Sequence, residues 1–260
     1  SHLSSWLAEH GFGEAPSQRL KILMGYTSGF FRMPDDLAEN GKACLMLAVP
    51  PDYRAAYLTP VDGNMWLATM YGRGKDTAPL DPEGFVTWAK GLPHPVIHDM
   101  LVRAEPISDF KRYKIPYGIW YRYDQMPNFP RGLIPLGEAL TSFNPMYGQG
   151  MSLAAGQALS LREAIAGGLD ADMSARYFEG CKTLNGVGWS VMETRDFAYD
   201  CTSGDRPADL EARWQSAAAI RQLAETDSEV HSLSVRVTHL LESPSKLAGP
   251  EIIEKTKRPS

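Results

Sequence analysis

The residues of this chain best suited to chemistry by type and spacing lie between Leu133 and Met151. A short apolar segment over 133–136 reads as a strand and ends in Gly137-Glu138-Ala139. A loop containing Pro145 follows, and Gly148-Gln149-Gly150-Met151 then opens an amphipathic helix predicted over 151–166. This order sets a carboxylate at a strand end and bare backbone N–H groups at a helix start. The first turn of a helix has unsatisfied donors and a partial positive charge, so it suits an electron-rich, partly anionic ligand group. The glycines remove Cβ atoms where a flat ligand must approach the backbone closely. Taken alone, Gly148-Gln149-Gly150 is also compatible with a glycine-rich turn that simply starts a helix.

Other candidates carry less. His94 and His98 have the i,i+4 spacing of a metal pair, but Pro93 and Pro95 flank the first and disfavour a regular helix through both. With no third ligand evident, no metal site is assigned. His231 and His239 suit surface or packing roles. Ser142 lies in no Gly-x-Ser-x-Gly elbow, which leaves a hydrolase triad without support. Cys44, Cys181 and Cys201 are widely spaced, odd in number and form no Cys-x-x-Cys pair. Neither zinc nor a disulfide framework is supported, and buried thiols in a reducing cytoplasm are expected. No catalytic side-chain acid or base stands out.

The 137–151 segment resembles the second flavin-binding motif of the FAD-dependent monooxygenases of the para-hydroxybenzoate hydroxylase superfamily, which includes squalene-type epoxidases. That motif runs Gly-Asp-Ala, a spacer, Pro-x-x-Gly-Gln-Gly-Met or Asn, then a helix. Here it reads Gly137-Glu138-Ala139, then Pro145-Met146-Tyr147-Gly148-Gln149-Gly150-Met151. Glu138 stands where the family has Asp, so its oxygens sit about one bond further from the backbone. The resemblance implies that Glu138 binds the ribityl hydroxyls of FAD and that Pro145 faces the ring. It implies that the amides of Gly148, Gln149, Gly150 and Met151 meet the pyrimidine end of the isoalloxazine. It also implies a hydroxylase or epoxidase in which NAD(P)H is the reductant and one oxygen atom of dioxygen enters a small apolar or aromatic substrate.

The likeness extends along the chain through Ser4-Ser5-Trp6-Leu7, Gly11-Phe12, Pro82-Glu83-Gly84-Phe85, Ala104-Glu105-Pro106 and Arg195-Asp196-Phe197. It covers nearly all of these residues but only the later part of such a protein. In the family, an N-terminal strand–Gly-x-Gly-x-x-Gly–helix holds the ADP half of FAD. Gly11-Phe12-Gly13-Glu14-Ala15-Pro16 lacks the third glycine and a preceding strand, and reads as a turn. The resemblance therefore implies a piece of a longer protein, or a partner supplying the ADP-binding half. The alternative is a catalytically incomplete fragment or pseudo-enzyme that acts as a small-molecule binding module.

Composition bounds these readings. A chain of 260 residues, 43% hydrophobic, can bury a substantial core as one large domain or two small ones. A net charge of −5 with a pI near 5.7 argues against nucleic acid, which requires a basic face. No apolar run approaches the ~20 residues that cross a bilayer, and no basic-then-apolar leader pattern opens the chain. A cytoplasmic protein without a stable membrane anchor is expected.

The elements that must position the motif point to an α+β fold. An antiparallel substrate-type sheet is expected over 1–130, the second FAD-binding motif and its helix over 131–168, and C-terminal helices over 169–260. Strands are predicted over 20–31, 43–49, 54–59 and 65–71, the last two joined at Asp62-Gly63-Asn64. Asp81 and Pro82 mark a helix start, a short helix follows over 95–102, and 111–123 is extended and aromatic. In the helix over 151–166, Met151, Ala154, Ala155, Ala158, Leu161 and Ile165 share one face. Helices over 171–184 and 189–197 are interrupted by Gly186 and Gly188. Further helices span 210–224 and 230–241, and the tail beyond Ser243 is expected to fray. On the sheet, Tyr26, Phe30, Met70 and Trp120 are the expected substrate pocket as a group, with ordinary sheet packing the alternative for each one.

Overall fold

In the computed structural model the described residues are 2–39 and 42–257. The first half contains α1 (Leu3–Glu9), β1 (Ser17–Arg32), α2 (Asp35–Glu39), β2 (Cys44–Met46), β3 (Ala55–Val61), β4 (Met65–Arg73), α3 (Pro82–Trp88), α4 (Val96–Val102), β5 (Glu105–Pro106) and β6 (Lys111–Tyr121). There follow β7 (Thr141–Ser142), α5 (Gly150–Ala166), α6 (Met173–Asp196), α7 (Leu210–Ala224), α8 (Ser228–Thr238) and α9 (Pro250–Lys257). This is the expected α+β fold with an antiparallel sheet. Its compact units do not follow the contiguous division at 130 and 168. One unit comprises residues 20–118 and 196–204, and the other comprises 2–19, 119–195 and 205–257. The chain interleaves because β1 and β6 each run from one unit into the other.

The sheet unit has strand order β2-β3-β4-β1-β6, with β5 on the end of β1. The β2–β3, β3–β4, β1–β4 and β1–β5 pairs are antiparallel. The hairpin at Asp62-Gly63-Asn64 forms as its residues predict: Gly63 and Asn64 take φ of 75° and 56°, and Val61 pairs with Met65. Along β1 the buried residues are Leu20, Ile22 and Met24, then Gly25, Thr27, Gly29 and Phe31. The alternation slips by one after Leu23, which holds a φ of 48° that is uncommon for a leucine. Below the sheet, Phe31, Trp66, Met70, Phe85, Ile97 and Leu101 form the core. Asp81 caps α3 by accepting the Gly84 N–H at 2.6 Å, with Pro82 in the first helical position. Only Cys44–Met46 of the apolar run over 43–49 pairs as a strand.

The returning segment 196–204 is pinned to this sheet. Arg73 Nη2 donates to Asp196 Oδ1 at 2.5 Å, with both side chains no more than 1% exposed. The Arg73 guanidinium also lies 3.9 Å from the centre of the Tyr199 ring. Lys21 and Ser203 exchange backbone hydrogen bonds of 2.8 and 3.1 Å.

The helical unit packs Leu7, Tyr121, Tyr123, Leu140, Ala164, Tyr177 and Cys181 into a second core. Its long helix α6 is continuous over 24 residues, where an interruption at Gly186 and Gly188 was expected. The glycines serve close packing instead: a Cβ on Gly188 would stand 2.8 Å from Leu153 Cδ1 and 3.0 Å from the Phe143 ring. On α5 the buried residues are Leu153, Gln157 and Ala164. Met151 is 87% exposed and Ile165 45% exposed, so the expected apolar face is not the one that packs. Residues 133–136 are extended but unpaired, and β7 is the segment that pairs, Ser142 opposite Ile119. Beyond Ser243 the chain forms α9, tied down by a 2.9 Å bond from Lys255 Nζ to Asp227 Oδ2. Among the described residues no helix is long and apolar enough to cross a membrane.

Candidate functional site: the turn and loop that open α5

The site is built from the turn at Gly137 and the loop before α5, both in the helical unit. Gly137 takes a φ of +62°, which turns the extended 133–136 segment into a tight turn over Gly137–Ala139. Leu140 N–H closes this turn on Gly137 O at 3.0 Å. A Cβ placed on Gly137 would stand 3.7 Å from Ala154 Cβ, so the turn rests on the start of α5. Two tyrosines tether it: Tyr177 donates to Pro135 O at 2.7 Å and Tyr123 to Ala139 O at 3.2 Å. Burial pushes both phenols well above the ordinary tyrosine range, so they act as fixed donors.

The loop is preorganised by local bonds. Asn144, 1% exposed, accepts the Met146 N–H at 3.1 Å and caps a tight turn over Pro145–Tyr147. Gly148 ends that turn at φ +68°. Gln149 then serves as the cap residue of α5, with no side-chain cap bond, and its carbonyl accepts the Leu153 N–H at 3.0 Å. The N–H groups of Gln149, Gly150, Met151 and Ser152 have no acceptor among the described residues. A Cβ on Gly148 or Gly150 would meet nothing within 4 Å. Glu138 is exposed and has no hydrogen bond or ion pair among the described residues. The result is four free donors, an unobstructed backbone and an unengaged carboxylate within one turn-loop-helix segment.

One supporting residue was not apparent in the sequence. Gln157, 1% exposed, accepts the Gly137 N–H on Oε1 at 2.7 Å and donates from Nε2 to Asn185 Oδ1 at 2.8 Å. The only signal was Gln157 within the largely apolar run 153–159 of α5. Gln149 Nε2 donates to Thr238 O at 3.2 Å, and the Arg195 guanidinium lies 5.0 Å from the Tyr147 ring centre. The loop is thus held by α6 and α8 as well as α5.

The four expected pocket residues do not form one group. Tyr26 and Phe30 share the face of β1 opposite the core; Tyr26 stacks with Tyr113 at 5.2 Å and meets Tyr71 at 5.4 Å. Phe30 is 37% exposed beside a cleft of about 410 Å³ that also includes Ser28, Leu67, Asp109, Lys111 and Tyr113. Met70 must be removed from the group. It pairs directly with Thr27, and directly opposed residues of an antiparallel pair point the same way, here into the core. Trp120 belongs to the helical unit, with Trp189 at 6.2 Å and the Arg122 guanidinium at 5.0 Å.

Among the described residues, no group of three or more His, Cys, Asp or Glu is arranged to hold a metal. His94 precedes α4 and accepts the Val96 N–H at 3.2 Å, while His98 lies on the helix beside Asp99. Burial raises the thiols of Cys44, Cys181 and Cys201, which makes them poor nucleophiles.

No known family profile matches the chain. It is 26% identical over 250 residues to Protein Rv3254 of Mycobacterium tuberculosis, across 94% of this chain and 52% of that protein. Similar solved structures include the Diels-Alderase PyrE3 of pyrroindomycin biosynthesis, with a TM-score of 0.59 at 11% identity over 86% of this chain and 46% of that one. A variant of HpxO from Klebsiella pneumoniae, complexed with FAD, gives 0.54 at 15% identity over 86% and 56%. The flavin-dependent brominase Bmp2 gives 0.51 at 16% identity over 73% and 47%. The chain therefore shares its fold with a Diels-Alderase, an FAD-complexed protein and a flavin-dependent brominase, and spans about half the length of the proteins it matches.

Proposed function

We propose that this chain carries the isoalloxazine and ribityl side of an FAD site in a flavin-dependent monooxygenase. The reaction would be hydroxylation or epoxidation of an apolar or aromatic substrate, with NAD(P)H and dioxygen as co-substrates. The observation that carries this reading is the start of α5, where four unsatisfied N–H groups lie beside glycines that leave the backbone open. That donor set fits the electron-rich edge of a flavin, and the helix dipole favours negative charge there. When bound, FAD would supply hydride acceptance and oxygen activation.

The chain's own residues bind and orient. The N–H groups of Gln149, Gly150 and Met151 would donate to the ring edge, and Pro145 would pack beside it. Glu138, with no competing partner among the described residues, would accept ribityl hydroxyls. The cleft beside Phe30 offers an aromatic surface to a substrate. A further segment or a partner would hold the ADP half.

A second reading is a small-molecule binding module without redox chemistry. The longer Glu138 carboxylate favours it, and so does the sharing of this fold with a protein described as a Diels-Alderase, because a fold does not dictate chemistry. The test is titration of the purified chain with FAD, followed by flavin absorbance and fluorescence, beside a Gly148→Val/Gly150→Val double variant checked for folding by circular dichroism. Saturable binding that weakens at least about tenfold (~1.4 kcal/mol) in the variant supports the flavin site. Binding that is equal in both proteins, or absent from the wild type, rejects it. Oxidation of NAD(P)H by the FAD-loaded protein separates the enzyme from the binding module.

A further inference from the structure

We propose that the cavity between α6, α7 and α8 is a binding site for an elongated apolar carboxylate. The cavity measures about 920 Å³, within the range that holds a small-molecule ligand. Its walls are mainly aliphatic, with Val191, Ile220, Val235 and Leu247 among them. Two guanidinium groups, Arg195 and Arg221, line it against a single carboxylate, Glu225. Neither arginine forms an ion pair with a carboxylate among the described residues. One positive charge is therefore left unmatched at an apolar cavity, the arrangement that suits an apolar chain ending in an anion.

A third observation points the same way. Ser234 lines the cavity, and its buried Oγ has no hydrogen-bond partner among the described residues. Buried hydroxyls are nearly always satisfied, so the Ser234 hydroxyl is a donor that a ligand oxygen would engage once rotation about χ1 turns it into the cavity. The cavity also adjoins the motif loop: Thr238, which lines it, receives the Gln149 side-chain bond, and Arg195 faces Tyr147. This assignment does not depend on flavin binding and is tested without it.

The experiment is calorimetric titration of the full chain with decanoate and with 1-decanol as its neutral counterpart. Decanoate is expected to bind saturably at one site per chain, about tenfold more tightly than decanol, as charge-assisted hydrogen bonding requires. Ala217→Trp, at an exposed position lining the cavity, is expected to abolish both. Arg221→Gln, at an exposed position and checked for folding by circular dichroism, is expected to reduce decanoate to the decanol level. No saturable decanoate binding, equal affinity for the two ligands, or full retention in Ala217→Trp would overturn the proposal. A dimer in light scattering that Ala217→Trp dissociates would assign this face to a second copy of the chain, and would overturn it as well.

Discussion

Gln157 holds Gly137 in place: its Oε1 accepts the Gly137 N–H at 2.7 Å from within the buried face of α5. Its Nε2 is engaged by Asn185 of α6 at 2.8 Å, so the amide cannot rotate away without leaving two buried groups unpaired. Replacing Gln157 with Leu leaves the Gly137 N–H and the Asn185 carbonyl unsatisfied, at a cost of about 1–3 kcal/mol. Urea denaturation is expected to report that loss. Asn185→Leu should cost less, because it spares the Gly137 bond. Equal losses in the two variants would mean the relay does not fix the turn.

The two glycines of the loop should separate stability from ligand contact. Gly148 has φ +68°, so Gly148→Ala forces a left-handed alanine and costs about 1 kcal/mol. Gly150 begins α5 with open space around it, so Gly150→Ala should be neutral or stabilising by up to about 1 kcal/mol. Both substitutions place a methyl on the proposed flavin face, and both should weaken FAD binding. A Gly150→Ala protein with unchanged FAD affinity would show that the flavin does not approach this backbone.

The Arg73–Asp196 pair should behave as a buried ion pair. Asp196→Ala leaves an uncompensated guanidinium in the core and is expected to cost about 3–5 kcal/mol. The double variant Arg73→Met/Asp196→Leu removes both charges and should be more stable than Asp196→Ala. Thermal denaturation of the single and double variants checks the order.

On the sheet, Met70→Ala is expected to destabilise by about 2–5 kcal/mol because it opens a cavity in the core. Phe30→Ala lies on the opposite, exposed face, and should change stability by no more than about 0.5 kcal/mol. Substrate or aromatic-ligand binding should respond only to Phe30. A ligand whose affinity tracks Met70 with stability unchanged would reverse the assignment of faces.

Asp227 gives the α8–α9 contact a defined acid limit. The Lys255 hydrogen bond, followed by the Val230 N–H, holds the Asp227 carboxyl below the ordinary aspartate range. A carboxyl depressed in the folded state contributes stability that is full above its unfolded value, about 3.9, and is lost as pH falls through its lower folded value. Release of α9, followed by limited proteolysis after Lys255, is therefore expected only below about pH 4. Asp227→Asn should cut the Lys255 attraction at neutral pH and flatten that dependence. An unchanged acid profile in Asp227→Asn would locate the transition elsewhere.

The sequence by itself determined the local features. Asp62-Gly63-Asn64 specified a hairpin because two consecutive residues there can adopt left-handed φ, and Asp81-Pro82 specified a helix start because one caps and the other needs no N–H. The order from Gly137 to Met151 likewise announced a loop and a helix start, whereas the strand expected over 133–136 is unpaired and the turn at Gly137 came from the structure. Period-3.6 reasoning located α5 and α7 within a residue but chose the wrong buried face on α5, because Ala and exposed Met look apolar wherever they lie. Only tertiary structure decided that Gly188 would admit Leu153 rather than break α6. It alone placed Met70 in the core, since that depended on its pairing with Thr27 across β1 and β4. It alone brought Gln157 to Gly137 and Arg73 to Asp196, 20 and 123 residues away. Propensity and capping act over a few residues and can be read along the chain. Burial, register and long-range hydrogen bonds depend on which distant segments share an interior, which no short window of sequence encodes.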